Sequence, residues 1–302
     1  MAGMAHEHHH APQNYNKAFA IGVILNMAFV AVEATYGILA DSLALLTDAG
    51  HNLSDVLGLL IAWGAAVLAT FKPTPRRTYG FRRVTILASL VSALLLLVAL
   101  GIIFREALTR LQTPEPVNSK TIIIVAGIGV VINAATAMLF FSGQKEDLNI
   151  KGAFLHMAAD AVISLGVVIA GLAILVTGLY WIDPLLGILI VVIILFGTLG
   201  LLRDSVNLAI DAVPRSIDPD EVREYFLSLP EVVGLHDLHI WAMSTTEVAL
   251  TVHLVIPDPG VKDVFLQKVS HDLHHNFGIE HLTLQVERSE GDFCLLKNRS
   301  FH

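Results

Sequence analysis

Between residues 18 and 202 the chain alternates long apolar runs with short polar interruptions, and these runs set the architecture. Six of them cover approximately 18–40, 42–71, 85–108, 121–141, 153–177 and 181–202. At about 1.5 Å of rise per residue, each is long enough as a helix to cross a hydrocarbon core of about 30 Å. The pattern predicts six transmembrane helices, the second longer than the membrane needs. After Arg203 the pattern changes, and Pro214, Asp218 and Pro219 mark a boundary to a polar segment. Its periodicity predicts a helix over 219–228, strands over 232–241 and 247–256, a helix over 261–277 ended by Gly278, and a strand over 282–286. This αββαβ order suits an α+β domain of the ferredoxin-like kind, with its helices on one face of the sheet.

Composition agrees with a membrane protein, because only 15% of the 302 residues are charged, against roughly 25% in soluble domains. The formal net charge of −8 argues against a nucleic-acid partner. One cysteine, Cys294, excludes an internal disulfide and a thiolate-rich metal site, whereas 14 histidines are unusual. Residues 1–16 form a polar tail containing His6, His8, His9 and His10, without the basic start and cleavage site of a signal peptide. Such a tail can collect metal loosely, but a tail without a role, or a remnant of cloning, carries equal weight. Residues 17–206 are expected to be the membrane domain and 207–302 a cytoplasmic metal-binding and dimerisation domain. An even number of spans places both termini on one side. Lys17, Lys72, Arg76, Arg77, Arg82, Arg83, Lys145, Lys151 and Arg203 fall on that side, against Arg105, Arg110 and Lys120 on the other. The positive-inside rule makes it the cytoplasmic side, and the expected location is the cell inner membrane.

Polar groups inside the apolar runs bring in chemistry. His51 and Asp55 in the second run, and His156 and Asp160 in the fifth, are both spaced i, i+4. On a helix this spacing points an imidazole and a carboxylate from one face. Any one such residue in a soluble core helix is usually a satisfied polar group. In hydrocarbon an ionisable side chain costs at least about 2.5 kcal/mol and marks function by default. Two facing pairs would offer two nitrogens and two oxygens, a set that suits a four-coordinate divalent metal, Zn²⁺ first. Two imidazoles move preference toward Zn²⁺, Cd²⁺ and Co²⁺ without ranking them. Asp48, one turn before His51, could be a further ligand, a proton-accepting neighbour or a cap, and a supporting role is favoured because four ligands complete a tetrahedron. Ser54 and Ser164 could orient the carboxylates, and Asn26, Glu33 and Asn133 could line the same cavity. Small residues, Gly58, Ala62, Gly64 and Ala65 against Gly166, Ala170 and Gly171, are expected to let the second and fifth helices approach closely.

In the polar segment, alternation over 247–256 puts Leu250, Val252, Leu254 and Ile256 on one face and Thr251, His253 and Val255 on the other. Over 282–286, Leu282, Leu284 and Val286 face the core, leaving His281, Thr283, Gln285 and Glu287 opposite. A cluster of His253, His281 and Glu287 is therefore sterically reasonable. Strict alternation would turn His236 away, with Leu238 and Ile240, unless it precedes regular pleating. His271, His274 and His275 are read as ordinary surface positions.

Taken with Ser42-Leu43-Ala44-Leu45-Leu46-Thr47-Asp48-Ala49-Gly50-His51 through Asp55, Gly80-Phe81-Arg82-Arg83, Asn149-Ile150-Lys151-Gly152-Ala153 and His236-Asp237-Leu238-His239-Ile240-Trp241, the whole chain resembles a cation diffusion facilitator of the zinc-transporting type. The resemblance implies a homodimer joined partly through its cytoplasmic domains, with a transport site of His51, Asp55, His156 and Asp160. It implies a cytoplasmic zinc site of His236, His253 and Glu287 with His281 nearby, and a charge pair between Arg83 and Asp211. Some relatives place a further metal site in the loop between the second and third spans. Here residues 72–83 contain neither Asp nor His, so none is expected. Thr85 stands where a carboxylate often occurs.

The expected function is Zn²⁺ efflux by alternating access, coupled to protons, because an imidazole must be neutral to bind metal and the two cations then compete for one site. Membrane lipid, divalent metal ions and protons are the expected partners. An intramembrane metallohydrolase would want an open coordination position and a general base, as in His-Glu-x-x-His, a motif the chain lacks. A metal-sensing receptor would make the soluble domain the functional part.

Overall fold

The computed structural model describes residues 16–141, 148–257 and 263–288. The histidine-rich tail, Lys145 and Cys294 lie outside them. Six long helices come first: α1 (Asn16–Leu39), α2 (Leu43–Ala69), α3 (Val84–Gln112), α4 (Ser119–Phe140), α5 (Leu148–Thr177) and α6 (Ile182–Ala209). Among the described residues α2 to α6 each contain a stretch long and apolar enough to cross a membrane, and α1 is apolar over Ile24–Leu39. Large apolar side chains such as Phe196, Met138 and Val176 stand outward on these helices. In water they would be a liability, but acyl chains solvate them. The chain is an integral, multi-pass membrane protein.

Contacts gather the chain into two units. One joins Leu95–Gly197 with the chain up to Leu57; the other joins Gly58–Leu94 with the chain from Thr198.

In the first unit, Phe29, Leu45, Leu100, Ile122, Val167 and Ile190 belong to one buried cluster contributed by all six helices. The helices meet where side chains are small. A Cβ on Gly129 of α4 would lie 2.7 Å from the Phe29 ring and 3.2 Å from the Ser164 hydroxyl, so only glycine lets α1, α4 and α5 converge there. A Cβ on Gly171 of α5 would lie 2.9 Å from Ile123 of α4. This corrects the expected pairing. Of the described glycines of α5, Gly171 serves its contact with α4, its main neighbour, while a Cβ on Gly58, Gly64 or Gly166 would meet nothing within 4 Å.

The start of α2 is fixed with unusual care. Ser42 accepts from the Leu45 amide at 3.3 Å as an N-terminal cap and donates to Asp183, the first acidic residue of α6. The Leu43 amide also donates to Asp183, at 2.6 Å. A carboxylate placed against the free N–H groups of a helix start satisfies them and complements the helix dipole. Just before it, Asp41 takes a positive φ of 55°, and its carbonyl accepts from Arg110 at 2.7 Å.

The second unit contains an α/β domain. Helix α7 (Pro219–Ser228) starts on an Asp218 cap with proline in its first turn and Asp220 and Glu221 behind it, a sequence suited to a helix start. Strands β1 (Gly234–Ala242) and β2 (Val248–Val255) are antiparallel; after α8 (Asp263–Phe277), β3 (Ile279–Glu287) pairs parallel to β2. The order is β1-β2-β3. Gly278, at φ 66°, makes the left-handed turn out of α8. Leu250, Val252, Leu254 and Ile256 are buried against Val222 and Phe226 of α7 and Val269 and Leu273 of α8, as alternation predicts. Strand β3 is longer than 282–286 because its pairing runs the length of β2.

Candidate metal-binding sites

Helix α2 carries His51, and α5 carries His156 and Asp160, one turn apart. Asp160 is buried, 1% exposed, and both imidazoles converge on it. His51 Nε2 lies 3.6 Å from Asp160 Oδ1, and His156 Nε2 lies 3.6 Å from Asp160 Oδ2. The two rings are 6.0 Å apart, near perpendicular. An ordinary N–H···O bond is about 2.9–3.0 Å long, whereas donors bound at about 2.0–2.2 Å to a tetrahedral zinc stand roughly 3.3–3.6 Å from one another. Each His–Asp separation, taken singly, falls in that range. Asp55 sits one turn beyond His51 on α2; its side chain lies outside the described residues.

Beside these residues lies a wholly buried polar group of Glu33, Asp48, Asn52 and Ser164; Asn133 is also wholly buried. Ser164 donates to Asp48 Oδ2 at 2.9 Å; it therefore orients Asp48. Ser54 turns back to its own helix and donates to the Gly50 carbonyl at 2.8 Å.

The cytoplasmic candidate forms on the sheet. His236 on β1 pairs with His253 on β2, but the next registered pair is His239 with Thr251. Three steps on β1 thus face two on β2, a β-bulge. Asp237 absorbs the extra residue by taking φ 53°. The bulge is why simple alternation misplaces His236: it puts His236 and His239 on one face, that of His253. His253 Nδ1 lies 3.1 Å and His236 Nε2 3.4 Å from opposite oxygens of Glu287. One donor atom from each of His236, His253 and Glu287 lies within 4.8 Å of the others, making a group fit to hold a metal ion. The Glu287 carboxylate also accepts from Gln285 at 2.9 Å.

His281 does not join them. It shares the face of Glu287 but lies six residues earlier along the strand, roughly 20 Å at about 3.3 Å per residue. It pairs in register with Ala249 and lies against Tyr79 at 5.4 Å. Sequence reasoning missed Asp237, whose carboxylate lies 3.0 Å from His239 Nε2 and 3.6 Å from His253 Nε2. An Asp between two histidines is the only signal the sequence offered. His271, His274 and His275 cluster among themselves on α8. Arg83 does meet Asp211, and Arg82 meets Glu247. Thr85 accepts from the Thr245 amide at 3.1 Å.

Residues 19–208 match the model of the cation efflux transmembrane domain, and residues 214–289 that of the cation efflux protein cytoplasmic domain. The chain belongs to the cation efflux family, the cation diffusion facilitators. It is 37% identical to the zinc transporter ZitB of Escherichia coli, over 94% of this chain and 93% of that one. It is 34% identical to the cadmium, cobalt and zinc/H(+)-K(+) antiporter of Bacillus subtilis, over 93% and 91%. Among solved structures, the metal-bound C-terminal domain of the CzcD transporter from Cuprividus metallidurans is 38% identical, covering 24% of this chain and 99% of that one, with a TM-score of 0.22. The activity of a cation efflux protein is transport of metal cations. The family is one of transporters, as the six apolar runs and the small cytoplasmic domain imply.

Proposed function

We propose that this cation efflux protein carries Zn²⁺ out of the cytoplasm in exchange for protons, with His51, Asp55, His156 and Asp160 as the transport site. One observation carries the reading: two imidazoles, from α2 and α5, stand at co-ligand distance from the two oxygens of one buried carboxylate. The names of the relatives, a zinc transporter and a cadmium, cobalt and zinc/H(+)-K(+) antiporter, support it. Cd²⁺ and Co²⁺ suit the same ligand set.

Zinc reaches the site only when both imidazoles are neutral. Loading expels whatever protons they hold, and protons arriving from the other side displace zinc in turn. Asp160, buried between the two imidazoles, is the carboxylate they share. Asp48, held by Ser164, supports the site. The protein works as a homodimer in the inner membrane with both termini cytoplasmic; residues 207–302 bind metal and dimerise. His236, His253 and Glu287 would hold a zinc ion there, which when bound neutralises the acidic side chain and joins β1 to β3. Neither enzymatic chemistry nor a nucleic-acid partner is part of this reading.

Flux measures it directly. In proteoliposomes, zinc uptake should require an imposed pH gradient and should vanish in Asp55→Ala and in Asp160→Ala. Undiminished flux in both variants would refute the site; flux indifferent to the gradient would refute the coupling.

A further inference from the structure

Helix α2 carries a second i, i+4 pair beside His51 and Asp55: Asp48 and Asn52. Both are wholly buried, as is Glu33 of α1, whose carboxylate lies against Asp48 and Asn52. Yet among the described residues Glu33 Oε1 and Oε2, Asp48 Oδ1 and both Oδ1 and Nδ2 of Asn52 have no hydrogen-bond partner of ordinary geometry. The other Asp48 oxygen is held by the Ser164 hydroxyl. Buried polar atoms are nearly always matched, and a buried carboxylate costs far more than a neutral group to leave unmatched. Two of them side by side within a membrane protein call for positive charge.

We propose that Glu33, Asp48 and Asn52 form a second cation station, adjoining the His51, His156 and Asp160 group but with ligands of its own, that takes a divalent ion through oxygen atoms alone. The four unmatched oxygens come from three side chains on two helices, and the Ser164 hydrogen bond fixes the one carboxylate that faces α5. Two carboxylates and a carboxamide are hard donors, which suit Mn²⁺ or a partly hydrated Zn²⁺ better than a soft ion. Two carboxylates balance the ion's charge. Asp48 and Asn52 lie toward the Leu43 end of α2 relative to Asp55, so the station sits beside the paired-imidazole group and on the side of the α1–α2 turn. The binding claim stands whether or not zinc is exchanged for protons.

Mn²⁺ is the probe. Full-length protein in lipid nanodiscs, carrying Asp160→Ala and His253→Ala to disable the two histidine groups, should still bind one Mn²⁺ per protomer by electron paramagnetic resonance titration. Pulsed measurements should detect no nitrogen coupling to that ion, since no imidazole touches it. Adding Glu33→Gln, which keeps the shape and removes the charge, should weaken binding at least tenfold; Glu33→Asp should restore part of it. Absence of bound Mn²⁺ with Glu33 intact, nitrogen coupling at the retained ion, or retention unmoved by Glu33→Gln would each overturn the proposal. The wild-type protein allows the same measurement without multiple substitutions: a bound Mn²⁺ free of nitrogen coupling supports the station, and nitrogen coupling at every bound ion sinks it.

Discussion

The paired-imidazole group in the helices and the one on the sheet use the same chemistry, two histidines meeting on one carboxylate, but they reach it by opposite means. In the helices, α5 supplies His156 and Asp160 from adjacent turns and α2 adds His51. The shared carboxylate is almost fully buried, so a charge there is expensive unless a partner matches it. On the sheet, His236, His253 and Glu287 come from three strands and are half-buried. Water can replace a lost partner there. The contrast lies in the carboxylates, 1% exposed in the helices against 16% on the sheet, since His156 is itself 43% exposed.

The largest expected effect tests the more deeply buried carboxylate. Asp160→Ala should lower zinc flux by roughly 100-fold or more, about 2.7 kcal/mol, because one substitution takes the shared partner from both imidazoles; a loss under tenfold would mean that the two groups differ less than their burial suggests. Asp183→Ala should act through the scaffold. Leaving the Ser42 hydroxyl and the Leu43 amide unmatched should cost about 1–3 kcal/mol, read as a lower thermal midpoint in detergent with zinc affinity retained by the folded fraction. On the sheet, Asp237→Val puts a β-branched residue at φ 53° and should cost about 1–2 kcal/mol. If the strand relieves that strain by losing its bulge, His236 turns away, and isothermal titration should then show weaker zinc binding by the full chain in which Asp160→Ala has removed the intramembrane group. Affinity unchanged by Asp237→Val would detach His236 from the bulge argument.

The smallest effect concerns the domain's own stability. Tyr225 donates to Asp272 at 2.9 Å, and burial first, then the Asp272 hydrogen bond and charge, raise the phenol's pKa above its usual value. The folded form keeps the proton that the unfolded chain loses near pH 10. Stability should therefore fall as pH rises beyond about 10. Tyr225→Phe should lose this part of the alkaline slope, checked by denaturant unfolding monitored at β-sheet wavelengths across that range.

How legible each group was in the sequence follows from the local geometry. His51, His156 and Asp160 could be read because helical spacing is constant over long apolar runs, and because ionisable residues stand out there. The αββαβ order was equally readable, from alternation and from Pro219 and Gly278 at helix ends. His281 misled because residues six apart on a strand share a face without sharing a neighbourhood. His236 could not be placed because a bulge leaves no mark in hydrophobic alternation. The close packing of α5 on α4 escaped because glycines reveal that a helix approaches something, but not what it approaches.

Asp183 holds both Ser42 and the amide of Leu43, so the first turns of α2 and α6 cannot part without exposing a buried carboxylate. They should behave as a single lever. If the protein alternates between open faces, these ends would swing together, and the freedom to open would have to come from α1, α3, α4 or α5.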